Sequence, residues 1–189
     1  EFFTFDRGGK AGYNISRTMY PEKQSESFVI FNSKEIKRIM KALKLREGIY
    51  WVGGIDWDLR NFHGYLTQRG STYNAYLIID EKITLIDNVK SYLFEELIAR
   101  ISDIIDPSQI DILIQNHVEM DHSGGLPKTL ELLPNATLYT NAAGIKGLKL
   151  HYKKDWNFAE IKSGDTLKLG KRSLTFLTTP MVHWPDNMV

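Results

Sequence analysis

An α/β layered fold with a mixed sheet is predicted for this chain, on three observations. Apolar segments of strand length alternate with amphipathic segments of helical period. Two of the apolar segments, 75–79 and 83–86, are separated only by Asp80-Glu81-Lys82, which predicts an antiparallel hairpin. A third, 110–114, is apolar almost throughout, the pattern of a strand covered on both faces, as in parallel sheets.

The elements follow in order. Residues 1–31 keep no sustained period and are broken by Gly8-Gly9 and Tyr20-Pro21, so they read as an extension or linker. Asn32 and Glu35 have capping-box spacing, and Ile36, Ile39, Met40 and Leu43 recur at helical intervals, predicting a helix over 33–45. The division drawn is an extension over 1–43, containing that helix and having no assigned role, and a domain over 44–189. Residues 49–52 form a strand closed by Gly53-Gly54. In 91–105, Leu93, Leu97, Ile101 and Ile104 make one apolar stripe, ended by Asp106-Pro107. A short helix near 126–133 follows Gly124-Gly125, then a strand over 136–139 and a helix from the Asn141 cap to Leu150. Segments 158–161, 166–169 and 173–177 read as a meander. Trp51 and Trp57 are assigned to the core.

Composition narrows the function classes. The formal charge of +1 argues against a basic nucleic-acid binder. No apolar run reaches the roughly 18 residues that span a bilayer, and nothing reads as a signal peptide. The absence of cysteine excludes disulfides, thiolate zinc sites, iron–sulfur clusters and cysteine catalysis, and fits a cytoplasmic protein. Charge is uneven: residues 1–50 carry ten Lys/Arg against six Asp/Glu, whereas residues 95–131 carry two against eight. Carboxylates gather where a cation would need them.

That acidic stretch holds His117, Glu119, Asp121 and His122, directly after the strand ending at Gln115-Asn116. The carboxyl ends of strands are where open α/β sheets place ligands. An extended start would aim 117, 119 and 121 to one side, with Ser123-Gly124-Gly125 giving the backbone freedom to bring His122 round. Clustered carboxylates repel one another, so two imidazoles and two carboxylates in six residues call for a cation. Imidazole with carboxylate suits iron, zinc or manganese, and sets with open positions favour non-haem iron. Met120 reads as an apolar wall, His151 as a solvated helix end among Lys149, Lys153 and Lys154, and Asp56, Asp58 and Asp87 as acidic loop residues without assignment.

His-x-Glu-x-Asp-His followed by Ser-Gly-Gly resembles the metal loop of the metallo-β-lactamase superfamily, with Glu119 in the place of the usual second histidine. That substitution, with Trp51-Val52-Gly53-Gly54-Ile55-Asp56-Trp57, His63-Gly64-Tyr65, the segment 70–78 and His183-Trp184-Pro185-Asp186, is similar to flavodiiron proteins, also called A-type flavoproteins. The resemblance runs from about residue 44 to 189. It implies the first half of a metallo-β-lactamase-like αββα sandwich in an apparently truncated chain. It also implies two iron ions: His117, Glu119 and His183 on one, Asp121 and His122 on the other. His63 would stand beside the site, and Asp186 would bond to backbone or to a ligand histidine. The family further requires a bridging aspartate, a last histidine and an FMN-binding flavodoxin-like domain, all expected beyond Val189.

The implied activity is reduction of dioxygen to water, of nitric oxide to nitrous oxide, or both. Electrons would come from FMN, reloaded by rubredoxin or a similar donor, in a head-to-tail homodimer. Two other readings stay open from the residues. One is a metal hydrolase of the metallo-β-lactamase type, in which Asp121 orients a metal-bound hydroxide. The other is a flavin-less diiron module that senses oxygen.

Overall fold

The computed structural model describes residues 40–189. The extension over 1–31 and the first part of the helix expected over 33–45 lie outside them. Seven strands form the main sheet, in the order β1 (Leu43–Arg46), β2 (Ile49–Trp51), β7 (Tyr76–Ile78), β8 (Thr84–Ile86), β9 (Ile112–Ile114), β10 (Thr137–Thr140) and β11 (Phe158–Glu160). The first four pair antiparallel and the rest parallel, so the sheet is mixed, as expected.

Register explains the two layers. Tyr50, Leu77, Leu85, Leu113, Leu138 and Phe158 stand opposite one another across six consecutive strands. All six share the face packed by helices α1 (Phe94–Ser102) and α4 (Ala142–Tyr152), through Leu97, Ile98, Ile101 and Leu148. Burying each leucine is worth about 1.5–3 kcal/mol. Because strand side chains alternate, Ile78, Ile112 and Ile114 point to the other face. There they meet Leu169, Phe176 and Met188 from the hairpin β12 (Thr166–Lys168)–β13 (Ser173–Thr175) and the segment after it. The arrangement is the metallo-β-lactamase-like layering that the resemblance implies.

Three short strand pairs complete the described chain: β12–β13, β3 (Gly54–Asp56) with β6 (Ser71–Tyr73), and β4 (Asn61–Phe62) with β5 (Tyr65–Leu66). Arg100 ties α1 to this end of the molecule, donating to the carbonyl of Gly53 at 2.8 Å and to Glu96 at 2.9 Å, with its guanidinium over the Trp51 ring. Among the described residues, no helix is long and apolar enough to cross a membrane.

Several expectations are corrected. Residues 43–46 are strand β1, not the end of a helix, because the turn at Glu47-Gly48, with Gly48 at φ 69°, returns their backbone onto β2. Leu43 and Leu45 are exposed, so the helical stripe has no face to bury against there. Segments 158–161, 166–169 and 173–177 do not form one meander: Phe158 pairs in parallel with Leu138, leaving β12 and β13 to pair alone. Trp57 is exposed, not core, and Met120 is 55% exposed, so it walls off no water.

Candidate metal centre

The carboxyl ends of the parallel strands build the site. Asp87 follows β8, Gln115 and His117 follow β9, and Asn141 follows β10. Glu119 enters at φ −59° and ψ 148°, but Asp121, expected in the extended start of the loop, sits with His122 in a single helical turn, α2 (Met120–Ser123). Its amides at His122 and Ser123 donate to the carbonyl of Glu119. Gly124 and Gly125 have ordinary helical φ values of −59° and −82°, so backbone freedom is not their role. A Cβ on Gly124 would lie 2.5 Å from the Met120 carbonyl, and one on Gly125 2.5 Å from Asn88 Oδ1. Close approach is what excludes a side chain.

The other two histidines come from turns. His63 and Gly64 are the two central residues of the β4–β5 hairpin, at φ 50° and 82°, the backbone of a type I′ turn. His183 tips a loop whose ends are tied by Leu177 and Val189 bonding to one another and by Thr179 donating to Asn187. It stands at φ 93°. With Asp87 at 64°, three site residues hold a left-handed backbone that costs about 1–3 kcal/mol each in a residue other than glycine. Such strain persists where the side chain's position matters more than local stability.

Glu119 is the point of convergence. Its carboxylate lies 2.8 Å from His183 Nε2, 3.2 Å from His117 Nε2 and 3.3 Å from His63 Nε2. Candidate ligand atoms of His63, Glu119 and His183 all lie within 4.8 Å of one another. His122 Nε2 is 3.5 Å from Asp121 Oδ2, and its ring centroid is 5.3 Å from that of His117. Six of the seven site residues read from the sequence are thus brought together, and Asp186 joins them from behind.

Behind the cluster, two carboxylates fix the rings. His117 Nδ1 donates to Asp186 Oδ2 at 3.0 Å, and the same oxygen accepts from the amide of Val118 at 2.8 Å. His122 Nδ1 donates to Asp87 Oδ2 at 3.0 Å. Each bond holds a proton on Nδ1 and leaves Nε2 as the donor atom toward the site. Burial alone would lower the pKa of His122, but the Asp87 hydrogen bond and the nearby carboxylates hold it up to about 9. Burial pushes the Asp87 carboxyl up, against the pull of His122. Burial likewise opposes the charge on His117, and Asp186 overcomes it, so His117 is raised. For Glu119, burial would raise the carboxyl, yet hydrogen bonds from His183 and His117 bring it below the usual range.

The donor set suits a cation. Asp121 Oδ1 is buried without a partner, and three imidazole nitrogens converge on one carboxylate. A metal ion would replace the protons these groups now share, and nitrogen with oxygen donors and no sulfur fits iron.

Asp87 is the residue sequence reasoning missed. It ends an apolar strand just as Gln115 does, but only the parallel β8–β9 pairing places it beside the loop. Neighbouring strands are not visible in one sequence.

A family model described as ODP family beta lactamase matches residues 72–189. The chain belongs to this family. Its relatives are flavodiiron proteins and enzymes named for the same chemistry. The chain is 48% identical to the nitric oxide reductase of Moorella thermoacetica over 78% of its own length and 38% of that protein's. The rubredoxin oxygen:oxidoreductase of Desulfovibrio gigas superposes with a TM-score of 0.76 at 47% identity, covering 79% of this chain and 38% of that one. The flavodiiron protein of Giardia intestinalis superposes with a TM-score of 0.75 at 38% identity, covering 78% and 36%. The chain therefore spans well under half the length of the relatives it matches, and the flavodiiron resemblance read from its motifs holds over that part.

Proposed function

We propose that residues 44–189 are the N-terminal part of a diiron domain whose complete protein reduces dioxygen to water, nitric oxide to nitrous oxide, or both. The convergence of His63, His117 and His183 on Glu119, beside the buried Asp121 whose Oδ1 has no partner, carries the reading. His117, Glu119 and His183 would hold one iron and Asp121 and His122 the other, with His63 alongside. Bound iron would supply one electron from each ion to a diatomic ligand. The chain's own residues set the conditions for this. Asp87 and Asp186 keep Nδ1 of His122 and His117 protonated and their Nε2 atoms aimed inward. Glu119 and Asp121 would balance the positive charge of bound iron and favour its ferric state.

Electrons from FMN, reloaded by rubredoxin or a similar donor, a head-to-tail homodimer and a cytoplasmic location complete the proposal. The names of the relatives support the substrate and donor classes. The added anionic charge of Glu119 weakens a Lewis acid, which disfavours hydrolysis of esters or phosphodiesters. Iron quantification with absorption spectra under dioxygen and under nitric oxide tests the reading. A stable dizinc protein inert to both gases would overturn it.

A further inference from the structure

Gln115 is fully buried, and its side-chain amide is spent on the loop that follows it. Nε2 lies 2.7 Å from Asp87 Oδ1, 2.7 Å from the carbonyl of His117 and 2.9 Å from the carbonyl of His122. All three partners are acceptors, so the amide orientation is fixed: turned over, its oxygen would face three oxygens. Two N–H bonds serve three acceptors, so one of them is shared. Oε1 keeps no partner, the sign of a group oriented for its nitrogen alone.

We infer that Gln115 is a positioning residue that couples the two halves of the metal centre, setting the spacing of His117 from His122 through one amide nitrogen. The inference rests on the two-ion reading above.

The coupling is lopsided. His117 has its own brace, since Asp186 holds both its ring and the next amide. The His122 ring is held at Nδ1 by Asp87, and Asp87 Oδ1 is held by Gln115 and by the amide of Asn88 at 3.1 Å. Removing the Gln115 donor frees the carbonyls of both His117 and His122, and it also loosens the carboxylate that orients the His122 ring. The brace on His117 stays.

The test uses the complete gene product, titrated anaerobically with ferrous iron against a competing chelator. Gln115→Met keeps the length of the side chain and removes its donor. The wild type is expected to bind two ions. In the variant the weaker ion should lose about 10–100-fold in affinity, as supporting hydrogen bonds to metal ligands usually cost, while the tighter one changes by about threefold or less. Asp87→Asn should reproduce the selective loss, and the double variant should be little worse than either single one. Equal weakening of both ions, or no change in either, overturns the inference and leaves the two-ion reading standing. A wild type that takes up fewer than two ions removes both. Should Gln115→Met not fold, the wild-type protein labelled at glutamine decides by NMR. Slowly exchanging Gln115 side-chain amide protons support the tie, and protons exchanging at the free rate refute it.

Discussion

Asp186→Ala and Asp186→Asn separate what holds the fold from what prepares the metal centre. Asp186 is 3% exposed, and one of its oxygens accepts from both His117 Nδ1 and the amide of Val118. Alanine strands two buried donors at about 1–3 kcal/mol each, and breaking a buried charged contact typically costs 3–5 kcal/mol, so a loss of about 3–5 kcal/mol is expected. Asparagine keeps the shape and an acceptor for Val118, lowering the cost to about 1–2 kcal/mol. Its oxygen can still accept from His117 Nδ1, but without the negative charge that makes the imidazole a stronger ligand. Iron affinity should then fall about 10–100-fold despite the small loss of stability. Denaturant unfolding of the metal-free protein, followed by anaerobic iron titration, reads both quantities on the complete gene product. An asparagine variant with wild-type iron affinity would show that the Asp186 charge does not tune His117, and an alanine variant within about 0.5 kcal/mol of wild type would show that its contacts do not hold the fold, since surface-like changes cost no more than that.

Other outcomes are equally specific. The raised pKa of His122 contributes stability to the metal-free protein that is complete below its ordinary value of 6.5 and lost as pH rises through about 9. The lowered carboxyls of Glu119 and Asp186 contribute stability present above their ordinary values of 4.5 and 3.8 and lost at lower pH. Melting temperatures of the metal-free protein should therefore peak between about pH 5 and 6.5 and fall toward pH 9. Iron binding at His122 must displace a proton from Nε2, so affinity should rise with pH up to that point. His183→Gly relieves the left-handed backbone at φ 93° and should leave the metal-free protein as stable or up to about 1–3 kcal/mol more so, while iron affinity drops. Leu113→Ala, at the centre of the cross-strand row, should cost about 2–5 kcal/mol by urea unfolding.

What the sequence reveals depends on how local the cause is. Helix α1 and the β7–β8 hairpin are set by apolar period and a short polar turn, and both are found where expected. The Asn141 cap is equally local: its side chain accepts from the amide of Gly144. The ligand loop is legible because its residues are contiguous and chemically costly without a cation. Strand pairs β3–β6 and β4–β5 are too short to carry a period. Strand β1 is a strand only because β2 offers a partner, and β11 leaves its expected meander because Phe158 completes the leucine row beside Leu138. Asp87 and Gln115 carry no local signature, since their roles arise from two strands lying parallel and adjacent. Gly124 and Gly125 show the opposite difficulty: the pair stands out in the sequence, but the close contact with Met120 and Asn88 that demands it is tertiary.

Glu119 and the histidines around it are proposed to belong to a diiron centre. The most direct test is anaerobic iron quantification of the complete gene product, joined to Mössbauer spectroscopy before and after dioxygen. Two high-spin ferrous ions per polypeptide, oxidised together by dioxygen, are expected, and at most one in Glu119→Ala. Zinc in place of iron, or full iron loading without Glu119, would contradict the proposal.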